Sequence, residues 1–176
     1  MLHVFQPYPI EELDFNPFKS FKEDGAVLVA NDADNNRVNA TAVNNGSVGV
    51  MFGRNTATIY LPLTKYTAEL LEKDDYVTIN FFDMSTKGIK NTMKFLDKAT
   101  GRNEDKISAV GMNVNMDPDY DVPFLDEANF VILCRIVAKS ELSENSLLHG
   151  NKKIREKFEG HDQVLFLTEI VKSFAR

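Results

Sequence analysis

The stretch RVNATAVNNGSVGVMFGRNTATIYLP, Arg37 to Pro62, decides the architecture. It contains three short runs, RVNATAV, SVGVMF and TATIYLP, built from β-branched, small and aromatic residues that suit strands. Asn45-Gly46 is a turn signal of the kind that needs positive φ, Gly53 marks a second break, and Pro62 ends the third run. Upstream, GAVLVAND (Gly25–Asp32) is a further run, bounded by the turn-rich DADNN, so it predicts a hairpin with RVNATAV. Downstream, YVTINFF (Tyr76–Phe82), NFVILCRIVAKSEL (Asn129–Leu142) and QVLFLTEIVKSFA (Gln163–Ala175) add strands.

Between these runs the period changes. KYTAELLEKDD places Tyr66 and Leu70 on one helical face. STKGIKNTMKFLDKAT carries Ile89, Met93 and Leu96 on an i, i+4, i+7 stripe, with Asp83 or Ser85 as the expected cap. A helix-ending Gly101 and another short helix near Asn103 follow, NMDPDYDVPFLDE reads as a loop, and KKIREKFEG as a short charged helix. Residues 1–24 read as an irregular arm with proline and aromatic anchors. No strand–helix–strand alternation is sustained, which argues against a doubly wound parallel sheet. Six or seven short strands suit an antiparallel closed or partly closed barrel with short connecting helices, in one domain over residues 1–176.

The composition narrows the function. The chain has 20 Lys+Arg against 26 Asp+Glu, a formal net charge of −6, with no basic run. Nucleic-acid and anionic-membrane surfaces need clustered Lys and Arg, so neither is an expected partner. The single cysteine, Cys134, lies in an apolar run and is expected to be a buried core thiol. No basic region followed by an apolar one opens the sequence, so no signal peptide is expected and a reducing cytoplasm is the default location.

Familiar chemical motifs are missing. There is no Gly-x-Gly-x-x-Gly, Walker A lysine, His-Glu-x-x-His or Gly-x-Ser-x-Gly. His3, His149 and His161 share no ligand spacing, and DPDYD and DADNNR lack the glycine of a calcium loop, so no metal is expected. Three polar stretches remain. NATAVNN is either a hairpin turn or a loop whose amides can nest an anion. TKYT, with Lys65, Tyr66 and Thr67 at a helix start, is either a capped helix with a surface lysine or a phosphate site. GRNEDK, with Arg102 and Lys106 bracketing two acids, reads alone as a solvated loop.

In this order, NATAVNNGSVGVMFGRNTATIYLPLTKYTAELLEKDDYVTINFFD, GRNEDKI and the terminal LFLTEIVKS resemble the flavin reductase-like family of FMN-binding split barrels, over residues 24–172. The resemblance implies a Greek-key split β-barrel, a homodimer, and FMN at or near the subunit interface, with FAD as the alternative flavin. It implies a flavin-binding cluster of Asn39, Thr41, Ala42, Val43, Asn44 and Asn45 and a second of Lys65, Tyr66 and Thr67, with Gly101, Arg102 and Lys106 reaching the phosphate or the partner subunit. It implies hydride transfer from NAD(P)H to the flavin, or a non-catalytic flavin or electron carrier of the same fold; pyridoxal phosphate or haem is a third, weaker cofactor reading. Three positions depart from the family pattern: Ala42, Asn44 and Asn45 replace Thr-x-Ser and an aromatic, Gln163 stands for a histidine with His161 two residues away, and Thr168 stands for a glycine. The loop is therefore expected to hold phosphate through amides.

Overall fold

The computed structural model describes residues 2–12 and 14–176. Its strands are β1 (Gln6–Pro7), β2 (Ala26–Asp32), β3 (Arg37–Val43), β4 (Gly46–Met51), β5 (Arg54–Pro62), β6 (Tyr76–Phe81), β7 (Val114–Asp117), β8 (Val122–Leu125), β9 (Phe130–Leu142) and β10 (Gln163–Ala175). The helices are α1 (Pro17–Lys19), α2 (Tyr66–Leu71), α3 (Ile89–Lys98), α4 (Lys106–Val110) and α5 (Lys152–Arg155).

The main sheet runs in the order β3-β2-β6-β9-β10-β5-β4, with β1 added against β10. Every pairing is antiparallel. Laid flat at ~4.8 Å per strand, β3 and β4 would lie about 29 Å apart. Yet only Asn44 and Asn45 separate them in the chain, a link that reaches about 10 Å. The sheet must curl until its two edges meet, and because β3 and β4 do not pair, the curl leaves a seam. This is an antiparallel split barrel, and the burial pattern agrees. Ala26, Leu28 and Ala30 of β2 face the interior with Ala57, Ile59, Leu61, Ile79, Ile132 and Phe166. The alternate residues Val27 and Val29 face outward under Ala40, Ile89, Met93, Leu96 and Ile107. Thus α3 and α4 cover the outside of β2 and β3, and the separate β7–β8 hairpin packs Val122 and Phe124 over Val131, Leu133 and Phe174.

Several local expectations change. Neither Asn45 nor Gly46 has positive φ; the positive-φ turn is Phe52 (55°) and Gly53 (69°), the two-residue loop joining β4 to β5. Asn44–Asn45 links two unpaired edges, so it has no hairpin twist to match. Gly46 is needed for space instead, since a Cβ there would lie 2.5 Å from Phe21 Cε1. Gly101 likewise has no positive φ and does not end a helix; α3 stops at Lys98. The α3 helix begins after Gly88 (φ 90°), not at a cap from Asp83 or Ser85. Asp83 instead accepts from the Ser85 amide at 2.9 Å and closes the preceding turn. Asp105 caps α4 by accepting from Ser108 N at 3.0 Å. NMDPDYDVPFLDE is a hairpin rather than a loop, because Asp117 accepts from the amides of Asp119 and Tyr120 and tightens the turn. The amino-terminal arm is more ordered than its sequence suggests: Phe5 packs edge-on to Phe124 and Phe174, and Phe15 to Phe81.

Cys134 is fully buried, and burial pushes its thiol up to about 12, which leaves it a core residue. Among the described residues, no helix is long and apolar enough to cross a membrane.

Candidate functional site

Where β3 ends at the seam, it meets the end of β5. Ala42, Val43, Asn44 and Asn45 from the first and Tyr60, Leu61 and Pro62 from the second line a cavity of about 300 Å³. Lys65 enters from the start of α2 and Asp97 from the last turn of α3. The remaining wall comes from the excursion between β9 and β10. Leu142 pairs with Gln163, so residues 143–162 leave the sheet and return at one place, delivering Glu156, Lys157 and His161 to the cavity beside Gln163.

Lys65 is the residue on which the site turns. It is the N-cap of α2, with extended backbone and no capping side-chain bond. Its Nζ lies 3.1 Å from Asp97 Oδ1 and also donates to the Asp97 main-chain carbonyl. That carbonyl belongs to the last turn of α3, where carbonyls lack helical partners. Because α2 has only six residues, the lysine charge, rather than the helix end, is what can attract an anion here.

The other residues of the sequence-derived set have different placements. Asn39 and Thr67 are buried and bonded to each other, Nδ2 to Oγ1, at 2.8 Å. Gly101 packs so closely on them that a Cβ would overlap Asn39 Oδ1. Tyr66 carries the Arg102 guanidinium over its ring at 5.0 Å, and Arg102 also grips Glu69 through two nitrogens. Arg102 holds the Glu69 carboxyl below the usual carboxylate range. Arg37 ties this corner to the sheet: its Nε donates to Asp32 at 3.0 Å, and its Nη2 to the carbonyls of Gly101 and Arg102. Thr41 and Lys106 are buried together under α3. Lys106 Nζ donates to Leu96 O at 2.8 Å and Ala99 O at 3.1 Å, and lies 3.5 Å from Thr41 Oγ1. Burial, assisted by the nearby Lys65 charge, pushes the Lys106 ammonium down to about 8. The structure therefore gathers Ala42, Val43, Asn44, Asn45 and Lys65 around one cavity, and places Asn39, Thr41, Tyr66, Thr67, Gly101, Arg102 and Lys106 in the framework beside it.

A larger cavity, about 650 Å³, lies at the other end of β3. Asp32, Asp34, Asp74 and Asp121 line it against Arg37 and Lys73, both already paired with aspartates. An excess of acid makes it a poor anion site. The smaller cavity balances Asp97 and Glu156 with Lys65 and Lys157, and Lys157 has no ion-pair partner among the described residues.

Sequence reading misses Tyr60, Asp97, Glu156 and Lys157, which no motif joins to the loop. His161 and Gln163 both reach the cavity, but His161 lies in the bend before β10 and not in the strand. Gln163 Nε2 is committed to the Lys157 carbonyl at 2.6 Å, and Thr168 is buried and donates to Ala57 O at 2.9 Å.

A family model described as flavin reductase like domain matches residues 21–174. No curated protein matches the chain. Solved structures with this fold include an FMN-binding domain of a flavin reductases-like enzyme from Shewanella baltica, 11% identical, with a TM-score of 0.68 over 99% of this chain and 78% of that one. Flavoredoxin of Desulfovibrio vulgaris is 15% identical, with a TM-score of 0.66 over 97% of this chain and 77% of that one. The NADH:FAD oxidoreductase of Streptomyces globisporus is 12% identical, with a TM-score of 0.64 over 90% of this chain and 79% of that one.

Proposed function

The chain belongs to the flavin reductase-like family, and from that premise we propose that it binds FMN at the seam cavity and passes a hydride to it from NADH or NADPH. The observation that carries this reading is the meeting of Ala42–Asn45 with Lys65 around one cavity, at the two segments to which the family likeness assigns the phosphate. The residues suit the polar end of a flavin nucleotide. Lys65 and Lys157 offer positive charge, Asn44 and Asn45 offer amide donors, and Tyr60 and Leu61 form a firmer wall. A bound flavin supplies the hydride chemistry, and the protein needs only to position and tune it.

A volume near 300 Å³ is at the small end for a nucleotide-sized ligand, so the ring rests at the cavity mouth and a second copy of the chain covers it. The edge strand β4 supports a homodimer: Val50 and Phe52 at its hairpin tip are 74% and 82% exposed.

The direct test is the absorbance spectrum of the purified protein, followed by NAD(P)H oxidation with FMN added. No rate above free flavin with either nucleotide would sink the reductase reading. One observation favours a second reading, a flavin or electron carrier without nicotinamide turnover. Gln163, at the position of the family's histidine, has no titratable group and its amide is held by Lys157 O. Tight FMN binding with no nicotinamide oxidation selects that reading.

A further inference from the structure

We propose that Asp97 sets the charge selectivity of this cavity, acting as a resident counter-ion that Lys65 must leave before it can hold a phosphate; the inference rests on the flavin reading above. Lys65 Nζ is bonded to Asp97 twice, at the carboxylate and at the main-chain carbonyl. Asp97 occupies the last turn of α3, the end of a helix where a negative side chain is least favoured. Lys65 offsets that cost and supplies a donor to a carbonyl without a helical partner.

Asp97 also stands on the wall between the 300 Å³ cavity and a neighbouring one of about 220 Å³, a wall it shares with Ala42, Val43 and Asn44. An anion entering on either side meets the carboxylate together with the ammonium. A phosphate that takes Lys65 leaves the Asp97 charge beside it without a counter-ion. An uncharged ligand makes no such demand. The cavity therefore holds a phosphate-bearing flavin less tightly than Lys65 alone would allow, while its affinity for the uncharged ring and sugar chain is independent of Asp97. The helix end survives the exchange, because Lys106 still donates to the Leu96 and Ala99 carbonyls.

Both partners are partly exposed, Lys65 by 28% and Asp97 by 60%, so solvent screens the pair. The effect is accordingly modest, about three- to fivefold in affinity at low salt.

The experiment titrates FMN and riboflavin separately against the wild type and Asp97→Asn, following flavin fluorescence at low and high salt. Asn keeps the shape and an acceptor for Lys65 while removing the charge; Asp97→Ala serves as the second variant, and thermal unfolding confirms that each is folded. The expected result is FMN binding tightened about three- to fivefold in both variants at low salt, riboflavin unchanged, and the gain reduced at high salt. Binding of both flavins with an unaltered FMN-to-riboflavin ratio, or weaker FMN binding in the variants, overturns the inference and leaves the flavin reading standing. Failure of every protein to bind either flavin overturns both.

Discussion

Lys65 and Lys106 converge on the C-terminal turn of α3, Lys65 through the Asp97 carbonyl and Lys106 through those of Leu96 and Ala99. Two cations thus satisfy a helix end that has no glycine cap. One lies at the cavity and is partly exposed; the other is buried.

Burial, with the nearby Lys65 charge added to it, pushes the Lys106 ammonium down to about 8 in the folded chain, from an ordinary value of 10.5. Between those values the unfolded chain binds more protons, so this lysine makes stability rise with pH across the window. Urea unfolding of the wild type and Lys106→Met, compared from about pH 7.5 to about pH 9.5, is expected to show the wild type gaining on the variant. A constant difference between the two would show that Lys106 is not charged against its burial.

Lys65→Glu reverses a charge that the proposed flavin site offers to phosphate and adds a second acid beside Asp97. FMN affinity is expected to fall about tenfold at low salt, and less at high salt. Unchanged affinity at low salt would place the phosphate elsewhere.

Gly101→Ala sets a methyl group against Asn39 Oδ1, and the Asn39–Thr67 bond leaves that amide little room to retreat. The expected loss is about 1–3 kcal/mol, read as a lower unfolding midpoint. Combining it with Asn39→Ala should cost less than the sum of the two single changes, since the clash disappears. Additive losses would mean that Gly101 is needed for a reason other than space.

Phe52 has φ 55° at the first position of a turn that favours Asn-Gly, and its side chain points into solvent in the isolated chain. Phe52→Asn is expected to stabilise the monomer by about 0.5–1 kcal/mol and to shift the proposed homodimer toward monomer in sedimentation. A variant that remains dimeric would remove the β4 tip from the interface.

The barrel was legible because its strands announce themselves: Arg37–Val43 and Gln163–Ala175 coincide with their runs. What escaped notice were features decided by distant partners. Asn45-Gly46 is a strong local hairpin signal, but the chain there spans a seam, and local propensity yields to topology. Gly101 reads as a helix terminator, and its reason is the Asn39 amide brought from β3. The candidate site divided in the same way. The loop and Lys65 stand in the candidate set through the family resemblance; their small polar residues and strand-to-helix switch fit a turn and a capped helix equally well. Asp97 could not be read, because its role arises only when α3 lies across β3. Arg102 and Lys106 carry the right chemistry for a phosphate, and their present partners, Glu69 and Tyr66 for the one and the α3 carbonyls for the other, come from elements that no local pattern connects to them.

The position of β10 has a kinetic consequence. It lies between β9 and β5, and its pairing joins Glu169 to Thr56, residues far apart in sequence. During synthesis β5 and β9 each wait with an open edge until Gln163–Ala175 has emerged, and only then can the barrel close. Contacts of such long range fold slowly, and an unpaired strand edge is where newly made chains join one another. The interval before residue 175 appears is therefore when this protein is most exposed to aggregation.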